Sequence, residues 1–448
     1  RITPIGAFLR RTSLDELLRL TGAAESGGVR AAPNGAGGTR GGGGGDDRLA
    51  PAELAALRPH VVNLQQGRFS TKGAFQTRRE DVDAIFDLHL PRALEAARAR
   101  NAPLDLLFWA HGGLVGENAG LRIAHRQAAW WLRNEVYPIF FAWETGFWAT
   151  VRQLLTNTRS RMPAVGTRDL WDRTTDPLVE MAARALGGEK VWGGMKWSAE
   201  QASAPDGGAR YVAERLAAFV GRHGDAVRVH AVGHSAGSIF HAHFLDAAFT
   251  AGLPRLESLQ FLAPAIRVDT FRRAVVPHVV GGRVRHFATY TMQRDWERAD
   301  DCNGIYRKSL LYLVSNAFEA EDRAPILGLE ESIRGDADVR ALFGLGPATD
   351  AVPTAAGEIV WSVTEAMDGL RATTSKTHGG FDDDAPTLNS VLRRLRGVGE
   401  TDAITAYVSD ATRATASRDV EWPEELAFAA AIADGTPGAG TIPVVAPP

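Results

Sequence analysis

Residues 227–237 read Val-Arg-Val-His-Ala-Val-Gly-His-Ser-Ala-Gly, and few folds accept that order. An alternating apolar run (Val227, Val229, Ala231) stops at Gly233-His234-Ser235-Ala236-Gly237, and an apolar segment follows at once. That pattern predicts a strand, a sharp turn and a helix, with Ser235 at the apex. A serine forced into so tight a turn crowds the residues two positions to either side, which is why both are glycine. The same geometry lifts the hydroxyl clear of a sheet and turns a helix N-terminus toward it, where negative charge is favoured. Ser235 is therefore the candidate nucleophile.

The rest of the chain predicts the sheet this turn requires. Short apolar runs at 60–66, 104–110, 136–143, 226–232, 256–262, 284–291 and 358–363 read as strands. Helical patterns lie at 79–100 and near 119–134, 208–222, 236–250, 304–318 and 386–396. Alternation of this kind implies an α/β fold with a mostly parallel central sheet flanked by helices. Residues 51–400 form its core. Ahead of it, 1–50 hold a short amphipathic helix (12–21) and a Gly-rich stretch with five consecutive glycines at 41–45, expected to be a flexible linker. Residues 401–448 form a C-terminal extension ending in a Gly/Pro/Ala-rich tail.

About eighty residues separate the run ending at Trp143 from the next strand, far more than a helical crossover needs. Within that interval 145–207 carry Phe147, Trp148, Trp171, Trp192 and Trp197, so an aromatic-rich cap over the site is expected there.

Several function classes are disfavoured. A net charge of −3 gives no electrostatic basis for binding nucleic acid or an anionic membrane surface. No apolar run approaches the roughly 20 residues that span a bilayer. One cysteine, Cys302, permits neither an internal disulfide nor a thiolate metal cluster, which suits a reducing, cytoplasmic setting. The 41–45 glycines lack the preceding strand and following Gly-Lys-Ser/Thr of a phosphate loop.

The remaining parts of an acyl-transfer site fall into place by position. After the 104–110 strand comes His111-Gly112-Gly113-Leu114, a turn whose backbone can approach a substrate closely. Gly113 N–H, or Leu114 N–H instead, and Ala236 N–H are the expected oxyanion donors. His111 is expected to prop this loop rather than act as base. His378, in Thr377-His378-Gly379-Gly380 between the last strand and last helix, is the expected base. Asp295 directly follows the 284–291 strand and is the expected acid, holding the imidazole's tautomer. Glu297, Asp300 and Asp301 in the same loop, and Asp269 after the preceding strand, are alternatives. Leu114, His234, Trp143 and Trp148 are expected to line the substrate site. No metal or cofactor is required.

The order Ser235, Asp295, His378, with the donor turn upstream, resembles the α/β-hydrolase fold superfamily of serine hydrolases over roughly residues 60–400. The resemblance implies an eight-stranded, mostly parallel sheet and hydrolysis of carboxylic esters, with a small-molecule or lipid-like ester as partner. Lipase action at a lipid surface, peptidase or acyltransferase activity, and a non-catalytic binding module are the alternatives. The single Gly-Gly after His111 is shorter than the three-glycine turn of one large esterase group.

Overall fold

The computed structural model describes residues 48–112, 117–143, 168–185, 187–302 and 306–410, and for 168–175 and 178 the backbone alone. The expected helix at 12–21, the glycine stretch and most of the C-terminal extension lie outside these residues.

Eight strands form one sheet in the order β2-β1-β4-β3-β5-β6-β7-β8. They are β1 (Val61–Gln65), β2 (Arg68–Phe69), β3 (Leu104–Ala110), β4 (Val136–Trp143), β5 (Val227–His234), β6 (Leu256–Leu262), β7 (Val284–Met292) and β8 (Glu358–Ser362). All pairings are parallel except β1 with β2, where Leu64 faces Phe69 and Gln65 faces Arg68. The β1–β2 turn uses Gln66 at φ 50° and Gly67 at φ 77°, the left-handed pair a two-residue hairpin needs. Sequence pattern alone missed β2, because two residues carry no period.

Central strands are buried on both faces, as parallel strands under two helical layers must be. Along β3, Leu106, Phe108 and Ala110 enter one apolar cluster while Leu107 and Trp109 enter the other. The first cluster is closed by α1 (Arg79–Ala84) and α2 (Leu90–Ala99), α5 (Gly188–Ser203), α6 (Gly208–His223) and α7 (Gly237–Thr250). A π turn, Ile85–His89, links α1 to α2, so the single helix expected over 79–100 is interrupted once. The second cluster is closed by α3 (Glu117–Arg133) and α9 (Ala385–Arg396), with Trp130, Trp131, Leu388 and Leu392 fully buried.

Part of the expected cap segment packs into the body of the fold. Helix α4 (Arg168–Ala185) leads into α5, and Val179, Ala183, Trp192, Met195 and Ala199 belong to the main core. Trp192 donates its indole N–H to Glu319 (2.6 Å), whereas Trp197 is half exposed. Residues 144–167, with Phe147 and Trp148, lie outside the described residues. The expected helix at 304–318 is shorter: Tyr306 forms a bridge to Cys302, and helix begins at Leu310. Of the extension, Tyr407 is buried, and Thr405 accepts the Trp130 indole N–H (2.7 Å). No helix among the described residues is long and apolar enough to cross a membrane.

Candidate active site

The chain runs from β3 out to β4 on one side and returns to β5 on the other, so the strand order switches direction between β3 and β5. In open α/β sheets the crevice beyond the strand C-termini at such a point is where ligands bind. His111-Gly112 leave β3 and Ser235 leaves β5 at this point.

Ser235 has φ 53°, a left-handed conformation that a non-glycine residue adopts only when its surroundings enforce it. They do so through four hydrogen bonds. Ser235 N–H donates to Leu262 O (2.8 Å), and Ser235 O accepts from Ala265 N–H (3.0 Å). Ser238 Oγ donates to Ser235 O (2.6 Å) and accepts from Ile266 N–H (3.1 Å). The β6 exit thus clamps the turn. The glycines are required sterically: a Cβ at Gly237 would lie 2.1 Å from Ala110 O, and one at Gly233 would lie 2.8 Å from Gly237 C. Gly112 presses on the serine itself, since a Cβ there would lie 2.9 Å from Ser235 Cβ.

His378 Nε2 lies 2.8 Å from Ser235 Oγ. These two residues, 143 positions apart in the chain, are buried together at 2% and 1% exposure. Burial, with a smaller contribution from the charge of His234, holds His378 down at about 3, while Asp382 pulls the other way. The imidazole is therefore neutral at pH 7 and its Nε2 can accept a proton. Ala236 follows the serine at the start of α7, and its N–H meets no acceptor among the described residues. Gly113, Leu114 and Trp148 lie outside the described residues.

The carboxylate bonded to the His378 main chain is not the expected one. Asp295 sits in the first turn of α8 (Arg294–Ala299), exposed, where a helix dipole favours an acid, and makes no contact with His378. Asp300, one residue beyond α8, is buried and accepts the His378 main-chain N–H at Oδ2 (2.8 Å) and Asp301 N–H at Oδ1 (2.8 Å). Burial raises the Asp300 carboxyl above its ordinary range despite these bonds. His378 Nδ1 is buried with no hydrogen-bond partner. Glu297 is fully buried; burial, reinforced by Asp300 and Glu331 and eased by Ser309, raises it well above the ordinary carboxylate range. Asp269 is half of an exposed pair with Arg267 (3.0 Å).

Two residues expected to contact substrate are engaged elsewhere. Trp143 is buried against Phe240, and its indole N–H donates to His111 O (3.2 Å). His111 Nδ1–H donates to Gly112 O (2.6 Å), which makes it a prop for the turn, as its position suggested. His234 lays its ring against that of His378 and donates through Nε2 to the His378 carbonyl (3.0 Å).

A second Ser-His-Asp array exists at the other end of the strands. Ser258 Oγ lies 2.8 Å from His230 Nδ1, and His230 Nε2 lies 3.2 Å from Asp105 Oδ1. Asp105 also takes a two-pronged bond from Arg228 (2.6 and 2.7 Å). All three members are at most 3% exposed and lie within β6, β5 and β3, and Ser258 lacks a left-handed turn or a helix N-terminus beside it. Distances alone do not separate the two arrays; backbone context does.

No family model matches the chain, and no curated protein or solved structure matches it. Function is accordingly argued from the site.

Proposed function

We propose that the protein is a serine hydrolase of the α/β-hydrolase type that cleaves carboxylic esters through an acyl-enzyme. The observation that carries this reading is Ser235, at φ 53°, with its hydroxyl 2.8 Å from the neutral His378 imidazole.

His378 Nε2 takes the hydroxyl proton as Ser235 Oγ attacks the ester carbonyl. The free Ala236 N–H receives the developing oxyanion, and in this reading Gly113 N–H, or Leu114 N–H instead, is the second donor. The imidazolium protonates the leaving alcohol; water, activated by the same histidine, then releases the acid. With Nε2 as acceptor the proton of neutral His378 sits on Nδ1, and its lack of an acceptor calls for a carboxylate. Asp300, already on the His378 main-chain N–H, is the acid this reading favours over Asp295.

The test is covalent labelling by a fluorophosphonate together with turnover of a p-nitrophenyl ester. The wild-type chain should label and turn over, and Ser235→Ala should do neither. Asp300→Asn should lower kcat/KM on the order of 10³-fold, whereas Asp295→Asn should stay within about twofold, as an exposed surface change does. Wild-type turnover in Ser235→Ala overturns the reading; a larger loss in Asp295→Asn than in Asp300→Asn overturns the choice of acid.

A further inference from the structure

We propose that His234 and Asp382 form a buried ion pair that positions His378 for proton transfer, a role that rests on the hydrolase reading of Ser235 and His378. His234 precedes the serine, and its ring lies against that of His378 with centroids 5.6 Å apart and planes at 30°. Its Nε2 faces the His378 carbonyl oxygen at 3.0 Å, and its Nδ1 faces Asp382 Oδ2 at 3.6 Å. Both neighbours are acceptors. A neutral imidazole has one N–H and one lone pair, so it would leave a lone pair pointing at a carbonyl or a carboxylate inside the protein. Only the doubly protonated ring suits both sides. At 3.6 Å the Asp382 contact is one of charge rather than a hydrogen bond, consistent with Nδ1 having no hydrogen-bond partner.

Other groups around the pair agree with this state. Although burial lowers it, the Asp382 carboxylate carries His234 above its ordinary value; burial raises Asp382, but His234 and Arg126 bring it below. Arg126 from α3 faces Asp382 and Asp383, with Tyr407 and Asp410 behind it. His111, beyond β3, is held neutral mainly by burial. The Asp382 main-chain oxygen accepts Gln127 Nε2 of α3 (2.8 Å). The His378 turn is thus anchored at its N–H by Asp300, at its carbonyl by His234, and at residue 382 by α3.

Two consequences follow for His378. His234 holds the main chain that carries the ring and packs against the ring's face, and a fixed positive charge beside it opposes protonation at rest, keeping Nε2 an acceptor for the serine proton. His234 is a positioning residue: it touches the base and not the substrate.

The test uses the full chain with ¹⁵N-labelled histidine rings and two readouts. Ring-nitrogen NMR should find His234 protonated at both nitrogens at pH 7, and at one in Asp382→Asn. The pH profile of fluorophosphonate acylation should show its acid limb moved up by about one unit in His234→Gln, which keeps an N–H donor but no charge. His234→Ala, lacking the donor as well, should lose about tenfold or more in acylation rate with little change in the concentration giving half-saturation, and His234→Gln should restore most of it. A singly protonated His234 in the wild type, or an acid limb unmoved in His234→Gln, overturns the ion pair. If the wild type fails to acylate at any pH while His234 reads doubly protonated, the hydrolase reading has failed and the positioning role goes with it.

Discussion

Replacing Gly237 by alanine isolates the geometry that aims Ser235. The new Cβ would sit 2.1 Å from Ala110 O and 2.8 Å from Ala110 C, and both are backbone atoms of a central strand. Carbon and carbonyl oxygen normally stay more than 3 Å apart, so the overlap is about an ångström and no side-chain rotation relieves it. Overpacking of this kind costs up to about 3 kcal/mol. Alanine in a helix gains back at most about 1 kcal/mol over glycine. The net loss is roughly 2 kcal/mol, and at about 2 °C per kcal/mol for a large domain the melting point should fall by about 4 °C. To relieve the clash α7 must retreat from β3, carrying Ala236 and Ser235 with it. A displacement near 1 Å in a reacting group can cost about 100-fold in rate. Gly379→Ala is the control, since a Cβ there meets nothing within 4 Å even though it adjoins His378. Thermal melts and fluorophosphonate labelling of both variants should separate them on both readouts. If Gly237→Ala melts and labels like the wild type, the close approach of α7 to β3 is not what holds the nucleophile.

Other perturbations test different parts of the argument. Ser258→Ala, in the buried array, should leave labelling of Ser235 intact and cost about 1–3 kcal/mol by stranding His230 Nδ1; loss of labelling without loss of stability would reverse the assignment of the two arrays. His60, His241 and His378 are pushed by burial to about 4, about 4 and about 3. Between roughly pH 6.5 and 4 the unfolded chain therefore takes up three protons that the folded state refuses, and stability should fall with falling pH. His234, raised when folded, contributes with the opposite sign. Urea unfolding at several pH values should show a slope shallower by about 1.4 kcal/mol per unit in His241→Gln; an unchanged slope refutes the burial of a neutral ring there. Glu297, whose pKa burial raises on folding, should erode stability as pH rises above its ordinary range. Glu297→Gln should then be the more stable protein at pH 8 by about 1 kcal/mol or more, converging with wild type near pH 4.5, and equal stability at both pH values would place a charge on that carboxylate.

What could be read from the sequence was what local sterics dictate. The turn at Ser235 is legible because its backbone, its crowding and its chemistry are all set by five adjacent residues, and the strands are legible because burial on both faces leaves unbroken apolar runs. Cross-chain packing is not encoded that way. Trp192 reads as a cap aromatic by position, yet it is a core residue, because Glu319 waits for its N–H from another part of the chain. Hairpin strand β2 is invisible because its two residues owe their pairing to the Gln66-Gly67 turn.

The proposed acid shows why a site's last member is the hardest to place. Asp295 stands nearest the end of β7 along the chain, and distance along the chain is a poor stand-in for distance in space. Six residues of helix, Arg294–Ala299, intervene, and they convert Asp295 into a first-turn acid facing solvent while returning Asp300 to the sheet edge. Nothing in the composition of Met292–Asp301 announces that reversal, since Asp, Glu and Arg are as acceptable in a short exposed helix as in a loop. The base is different: Gly380 cannot carry a Cβ without meeting Ser375 Oγ at 2.6 Å, so the tight turn that presents His378 leaves a glycine signature. Residues that aim a group by backbone shape leave such marks. Those that act at the end of a side chain, as Asp300 and Asp382 do, leave only their charge.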